Sequence, residues 1–381
     1  MHPTALKNHF HDLRPAMLET IQNLVERESP SMEKPMLDDL ARYLQGRFQD
    51  AGAEVDLLPN STHGDHLRAF FPGPKNTASR PALILGHFDT VWPAGTLTDR
   101  PFTIRDDQAR GPGIFDMKAN LVLVEFALQA LSAPGAGLRR PVVVLLTSDE
   151  EIGSPTSRML IETHARQAEY VLVVEPPLPG GVLKTARKGT GFFVVEIEGR
   201  AAHAGIEPEK GISAIVELAH QIHYLQELND VAAGSTVNVG IVRGGTRPNV
   251  VAASAAAEVD VRVWTRAEAE RLEKAILGAR PQTTGTVLKI DGFFKRPPME
   301  RTPAIGTLFE RAQQIGAELG MKLREGSTGG GSDGNFSAAL GVPTLDGLGI
   351  PGAGAHAEDE HILIDFLPER ATLLATLLQQ L

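Results

Sequence analysis

Three short apolar runs constrain this chain more than any other feature of its sequence. Ala82-Leu83-Ile84-Leu85, Pro141 to Leu146 and Tyr170 to Val174 carry almost no polar residue, and helical stretches separate them. A strand with one wet face would alternate, so runs of this length and spacing predict a mainly parallel sheet covered by helices on both faces. Upstream, Leu13, Met17, Ile21 and Leu24 recur at helical spacing, as do Met36, Leu40, Tyr43 and Leu44 after Ser29-Pro30-Ser31. Ala53 to Leu57 alternates like a strand, so the first 58 residues read as two helices and a strand. Met117 to Leu131 reads as a largely apolar helix.

The pattern changes near residue 189. A strand (Gly191 to Glu198), a long amphipathic helix (Gly211 to Leu228), strands at Thr236 to Val242 and Ala256 to Val263, a helix (Ala267 to Leu277) and a strand (Val287 to Phe293) follow one another. That order, β-α-β-β-α-β, is the ferredoxin-like arrangement and predicts an inserted α+β domain. Lys295-Arg296-Pro297-Pro298 reads as its exit hinge, after which a helix from Ala304 to Leu319 and an apolar strand resume the earlier style. The expected partition is a first catalytic part over 1–188, an inserted domain over 189–296 and a second catalytic part over 297–381.

Composition narrows the function. With 381 residues, 42% hydrophobic and 22% charged, the chain suits two or three globular domains and is not disordered. A net charge of −10 disfavours nucleic acid as a partner. No apolar run approaches the roughly 20 residues that span a bilayer, so no membrane is expected. The first residues lack a basic start followed by an apolar stretch, which makes the cytoplasm the expected location. The chain has no cysteine, so any metal must sit on nitrogen and oxygen ligands.

Such ligands occur just past the predicted strands, where open α/β sheets build their sites. His87 and Asp89 in Gly86-His87-Phe88-Asp89-Thr90 point to one side of an extended segment, and Asp89 is placed to orient the imidazole. Asp116 follows a Gly/Pro turn at a helix start, where an N-cap is the plainer role. Asp149, Glu150 and Glu151 follow an apolar strand and repel one another unless a cation lies among them; a solvated turn is the alternative. Glu175 ends a buried strand, and His356 sits in a glycine-rich loop. Together these residues supply what a pair of hard or borderline cations requires.

Two other motifs compete. Gly330-Gly331-Ser332-Asp333-Gly334 satisfies G-x-S-x-G, but Glu325 to Gly329 is no buried strand, and no clear acid lies between Ser332 and His356 that would complete a triad. Gly347-Leu348-Gly349-Ile350-Pro351-Gly352 matches G-x-G-x-x-G formally, yet no apolar-periodic helix follows it.

Taken in order, GHFDTVWPAGT, GPGIFDMKAN, TSDEEIGS, GRAAHAG, RPNVV, DVR and GGGSD resemble the dinuclear zinc peptidases and amidohydrolases. That family includes glutamate carboxypeptidase (carboxypeptidase G), aminoacylase and succinyl-diaminopimelate desuccinylase, and the carboxypeptidase G branch is the nearest in pattern. The resemblance runs from about Leu24 to the C-terminus. It implies a zinc-exopeptidase-type α/β domain with an inserted lid and dimerisation domain. It further implies two Zn2+ per chain, with Co2+ or Mn2+ able to substitute: His87 and Glu175 on one ion, Glu151 and His356 on the other, and Asp116 bridging both. Glu150 would be the general base that deprotonates an attacking water, Asp89 the partner of His87, and Asp116-Met117 a cis peptide. His203 would stabilise the oxyanion from the partner subunit of a homodimer.

By the same resemblance, Arg262 contacts a substrate carboxylate, Asn249 makes a polar contact beside His203, and Gly330, Gly331 and Ser332 offer that carboxylate backbone N–H groups. The implied substrate is a small peptide or N-acyl amino acid whose leaving amine bears a free α-carboxylate. Carboxypeptidase, acylase and dipeptidase all meet that description. Relatives acting on C-terminal glutamate carry an arginine two residues before the triple glycine; this chain has Ser327 there, with Arg324, Arg187 and Lys188 as other basic candidates. A non-catalytic binding or scaffolding relative that retains the fold would be expected to lose such residues, and the intact ligand set with Glu150 favours an enzyme over a non-catalytic metal-binding relative.

Overall fold

The three apolar runs form neighbouring strands. In the computed structural model, which describes residues 2–74, 79–132 and 137–381, strand Ala82–His87 pairs in parallel with both Val142–Thr147 and Tyr170–Val173. Thr344–Leu345 adds in parallel beyond Tyr170–Val173. On the other side His66–Phe71 pairs antiparallel with Val142–Thr147, and Glu54–Leu58 antiparallel with His66–Phe71. The resulting six-stranded sheet is therefore mixed: its parallel half holds the three apolar runs, and its antiparallel edge includes His66–Phe71, which no sequence pattern marks.

Alternate residues of the central strands feed two cores. Ala82, Ile84, Val142, Val144 and Leu172 pack with the helices Arg14–Val25, Lys34–Asp50, Ala119–Ser132 and Leu367–Gln380. Leu83, Leu85, Val143, Leu145 and Val171 face the opposite way, onto Ile161 and Ala165 of Arg158–Gln167 and Phe336 of Gly334–Ala339. Each fully buried Val, Leu or Ile stabilises by about 1.5–3 kcal/mol, so this framework is rigid and the segments past its strands are free to carry chemistry. A further helix, Pro3–Asp12, precedes those expected and buries Leu6 and Phe10.

The chain divides into two compact units: residues 1–185, 301–328 and 332–381 form the first, and 186–300 with 329–331 the second. In the second unit the strands run Thr236–Gly244, Ser254–Val263, Gly189–Glu198, Val287–Arg296 across an antiparallel sheet, the ferredoxin-like order. Phe193, Val195, Ile197, Val259 and Val261 form its core with Leu218 and Leu225 of one helix and Leu272 and Ile276 of the other. Each helix starts at a side-chain cap: Ser213 accepts from Val216 N, and Thr265 from Glu268 N. Among the described residues no helix is long and apolar enough to cross a membrane.

Candidate metal and active site

Parallel strands end on the same side of a sheet, and this brings His87, Glu150, Glu151 and Glu175 together. His87 is the last residue of its strand; Glu150 and Glu151 follow Val142–Thr147 after Ser148-Asp149; Glu175 follows Tyr170–Val173 after Val174. Asp116 arrives on the Gly111-Pro112-Gly113 turn. Gly113 has φ +69°, and a Cβ there would lie 2.4 Å from Thr90 Cγ2, so only glycine fits. The Asp116-Met117 peptide is cis. His356 comes from a tight turn closed by Ala357 N donating to Gly354 O at 2.8 Å, and it holds the left-handed φ of 62° itself.

The two carboxylate oxygens of Asp116 face different imidazoles. Oδ1 lies 3.1 Å from His87 Nε2, and Oδ2 lies 3.4 Å from His356 Nε2. Glu175 Oε1 stands 3.6 Å from His87 Nε2, and Glu151 Oε2 3.2 Å from His356 Nε2. Donor atoms of His87, Glu150 and Glu175 lie within 4.8 Å of one another, as do those of His87, Asp116 and Glu151. His87 is thus common to both groups, and the Asp116 carboxylate lies between the His87 and His356 imidazoles.

Protonation in this cluster follows from crowding. Burial would raise the Asp116 carboxyl, but hydrogen bonds to His356 and His87 hold it far below the usual carboxylate range. Burial opposes a charge on His87, yet hydrogen bonds to Asp116, Asp89 and Glu175 leave its pKa well above the ordinary value. His356 is pushed up to about 10 by its hydrogen bonds to Asp116 and Glu151. Burial raises Glu151 to about 7, against the hydrogen bond to His356. These shifts reflect acids crowded around two imidazoles, a concentration of negative charge that divalent cations would offset. An all-nitrogen-and-oxygen donor set of this kind suits Zn2+, Co2+ or Mn2+, so the residues present fit a metal pair.

Asp89 is completely buried and does more than orient an imidazole. His87 Nδ1 lies 3.0 Å from the Asp89 carbonyl oxygen and 3.3 Å from its carboxylate Oδ1. The same carboxylate accepts from Glu150 N and Glu151 N, both at 3.1 Å, and from Ser31 Oγ at 2.8 Å. Asp149, the third acid of the run, is also buried and accepts from the amides and hydroxyls of Thr156 and Ser157. It shapes the loop that presents Glu150 and Glu151. Sequence reading misses Ser31 and the loop-holding role of Asp149, since neither adds a donor in a recognisable pattern.

Ser332 requires a correction. Its residue is fully buried, its Oγ donates to Asp346 Oδ2 at 2.7 Å, and its N–H donates to Asn335 Oδ1 at 2.9 Å. With both donors spent internally, Ser332 neither serves as a nucleophile nor offers an N–H to a substrate. Neighbouring Asp333 accepts from Thr147 Oγ1 at 3.0 Å and from Ser154 Oγ, fastening the segment to the end of the central strand.

The remaining expected residues belong to the second unit. His203 and Asn249 are exposed neighbours across a bridge between His203 and Val250, where Ala204 N donates to Asn249 O at 3.0 Å. Arg262 makes a bidentate pair with Asp260, at 2.8 and 2.9 Å, so its fork is already engaged. Arg187 is buried and donates to the carbonyls of Gly330 and Gly331 at 3.1 and 3.0 Å, which makes it a support of the glycine loop.

The sequence pattern of peptidase family M20/M25/M40 matches residues 83–380. The chain belongs to that family. Carboxypeptidase G2 of Pseudomonas sp. (strain RS-16) is 30% identical over 97% of this chain and 90% of its own length. Succinyl-diaminopimelate desuccinylase of Acidovorax ebreus is 28% identical over 93% and 95%. Among solved structures, aminopeptidase PepT of Bacillus cereus superposes with a TM-score of 0.77 at 22% identity, covering 96% of this chain and 98% of that one. The chain is therefore a hydrolase of the metallopeptidase and amidohydrolase class acting on C–N bonds, from a family that uses divalent metal.

Proposed function

We propose that this enzyme hydrolyses an amide bond to release an amino acid with a free α-carboxylate, as a carboxypeptidase or N-acyl-amino-acid hydrolase using two Zn2+ per chain. The observation that carries this reading is Asp116, whose two oxygens face two different imidazoles, His87 and His356. His87 and Glu175 would hold one ion, Glu151 and His356 the other, with Asp116 shared. When bound, the ions lower the pKa of water and polarise the scissile carbonyl. Glu150 takes the proton of the attacking water and returns it to the leaving amine. Asp89 keeps His87 oriented and, through the Glu150 and Glu151 amides, fixes where those carboxylates stand. Arg262, released from Asp260, would take the substrate carboxylate in the same bidentate geometry, beside Asn249 and the Gly330–Gly331 backbone.

A panel of dipeptides and N-acyl amino acids, each paired with its C-terminal carboxamide, tests the substrate class. Free acids should be cleaved, and the carboxamides should lose about 100-fold or more in kcat/KM, since a site built for a charged group rejects its absence strongly. Equal turnover of both sets would refute the carboxylate requirement.

We further infer that the inserted unit forms a homodimer and that His203 acts on the oxyanion in the partner's site. Thr236–Gly244 is an edge of its sheet and exposes Ile241 and Val242 at 43% and 53%, an edge that invites pairing. Two inactive variants, His203→Ala and Glu150→Gln, should regain turnover when mixed under conditions of subunit exchange. No recovery despite demonstrated exchange would remove the in-trans role.

A further inference from the structure

Glu360 is an acid that the proposed reaction does not use, and it is only 3% exposed. Both its oxygens are saturated with N–H donors. Oε2 accepts from Trp92 Nε1 and Gly113 N, each at 2.8 Å; Oε1 accepts from Phe115 N at 2.9 Å and Asp116 N at 3.1 Å. Four donors fill roughly the four lone-pair sites of a carboxylate, and three of them are backbone amides of one turn.

That turn carries Asp116, and the loop of Glu360 carries His356. The Glu360 amide donates to Ala357 O at 3.2 Å, and Ala357 N to Gly354 O at 2.8 Å, so the acid and the imidazole share one short folded segment. The carboxylate therefore joins two parts of the chain that are 244 residues apart in sequence. It does so at the amide of the residue whose oxygens must face both imidazoles. A shift of this amide would swing Oδ1 and Oδ2 away from the 3.1 and 3.4 Å contacts described above.

We propose that Glu360 is a positioning residue of the metal centre, setting the Asp116 carboxylate and the His356 loop in one frame through its four N–H contacts. The role rests on the reading of Asp116 and His356 as ligands. Glu360→Gln keeps the size of the side chain but turns an N–H2 group toward N–H donors. One pair of contacts must then break, whichever way the amide lies.

The test uses the full-length chain, stripped with chelator and titrated with Zn2+ by calorimetry and with Co2+ by visible absorption. The unaltered protein should take two ions. Glu360→Gln should bind at least one of them about 10–100-fold more weakly, with an altered Co2+ spectrum and a fall in kcat larger than any change in KM. A variant that melts earlier yet binds both ions with unchanged affinity and spectrum would overturn the proposal and leave Glu360 a simple loop tie. Should Glu360→Gln fail to fold, Trp92→Phe removes a single donor and should weaken binding in the same direction; an unchanged affinity and spectrum would again overturn it. An unaltered protein that binds no ion would overturn the metal centre itself, and the positioning role with it.

Discussion

Glu150→Gln should lower kcat by about 10²–10⁴-fold while both ions remain bound. The substitution is nearly isosteric, so the loop has no reason to move. Its backbone position is set by the Glu150 N to Asp89 Oδ1 hydrogen bond, which the side-chain change leaves intact. What is lost is the ability to accept a proton from water and pass it to the leaving amine. KM should change little, because Glu150 is not assigned to hold the substrate carboxylate. Steady-state kinetics on protein reloaded with metal gives both numbers. Turnover within tenfold of the unaltered enzyme, with metal demonstrated in the variant, would remove Glu150 from the role of base.

Asp116→Asn should be still more damaging. Each Asp116 oxygen faces one imidazole, and the carboxylate is the only residue common to both proposed donor groups. An amide offers one oxygen in place of two and no charge, so one ion loses a ligand and the other loses electrostatic support. Removing a group that merely orients a ligand costs about 10–100-fold in affinity or activity, and loss of the shared ligand itself should exceed that. The expected result is turnover at background, with retained far-UV circular dichroism because the substitution conserves volume. An Asp116→Asn variant that keeps even a tenth of the activity would contradict a bridging role.

Much of the framework is legible in the sequence because it rests on local composition. The runs at 82–85, 141–146 and 170–174 have to be buried strands, and the acids after them have to meet at one sheet edge once the strands are parallel. The strand His66–Phe71 is not legible. It contains His66 and Arg68, alternates poorly, and exists through its antiparallel pairing with Val142–Thr147, a contact no local pattern records. The N-terminal helix is hidden for a similar reason: only Leu6 and Phe10 mark its buried side among histidines and polar residues.

The site shows the same division. His87, Asp116 and Glu151 stand out because each lies in a recognisable motif, whereas Glu175 and His356 are marked only by a strand end, a glycine-rich loop and the family resemblance. Glu360 looks like one more charge in Ala357-Glu358-Asp359-Glu360, since its partners are backbone amides far upstream. Ser332 misleads in the opposite sense, because a serine after three glycines looks available until Asp346 and Asn335 are seen to claim it. Backbone donors carry no sequence signature, and they account for most of what the sequence conceals.

Whether this cluster holds two divalent ions through Asp116 is tested most directly by elemental metal analysis of the full-length protein, purified without chelator and run beside Asp116→Asn. About two zinc ions per unaltered chain are expected, and no more than one in the variant, with activity of the unaltered chain lost to chelator and restored by Zn2+. An unaltered chain that carries no metal after incubation with excess Zn2+, or a variant that carries as much as the unaltered chain, would contradict the shared-carboxylate centre.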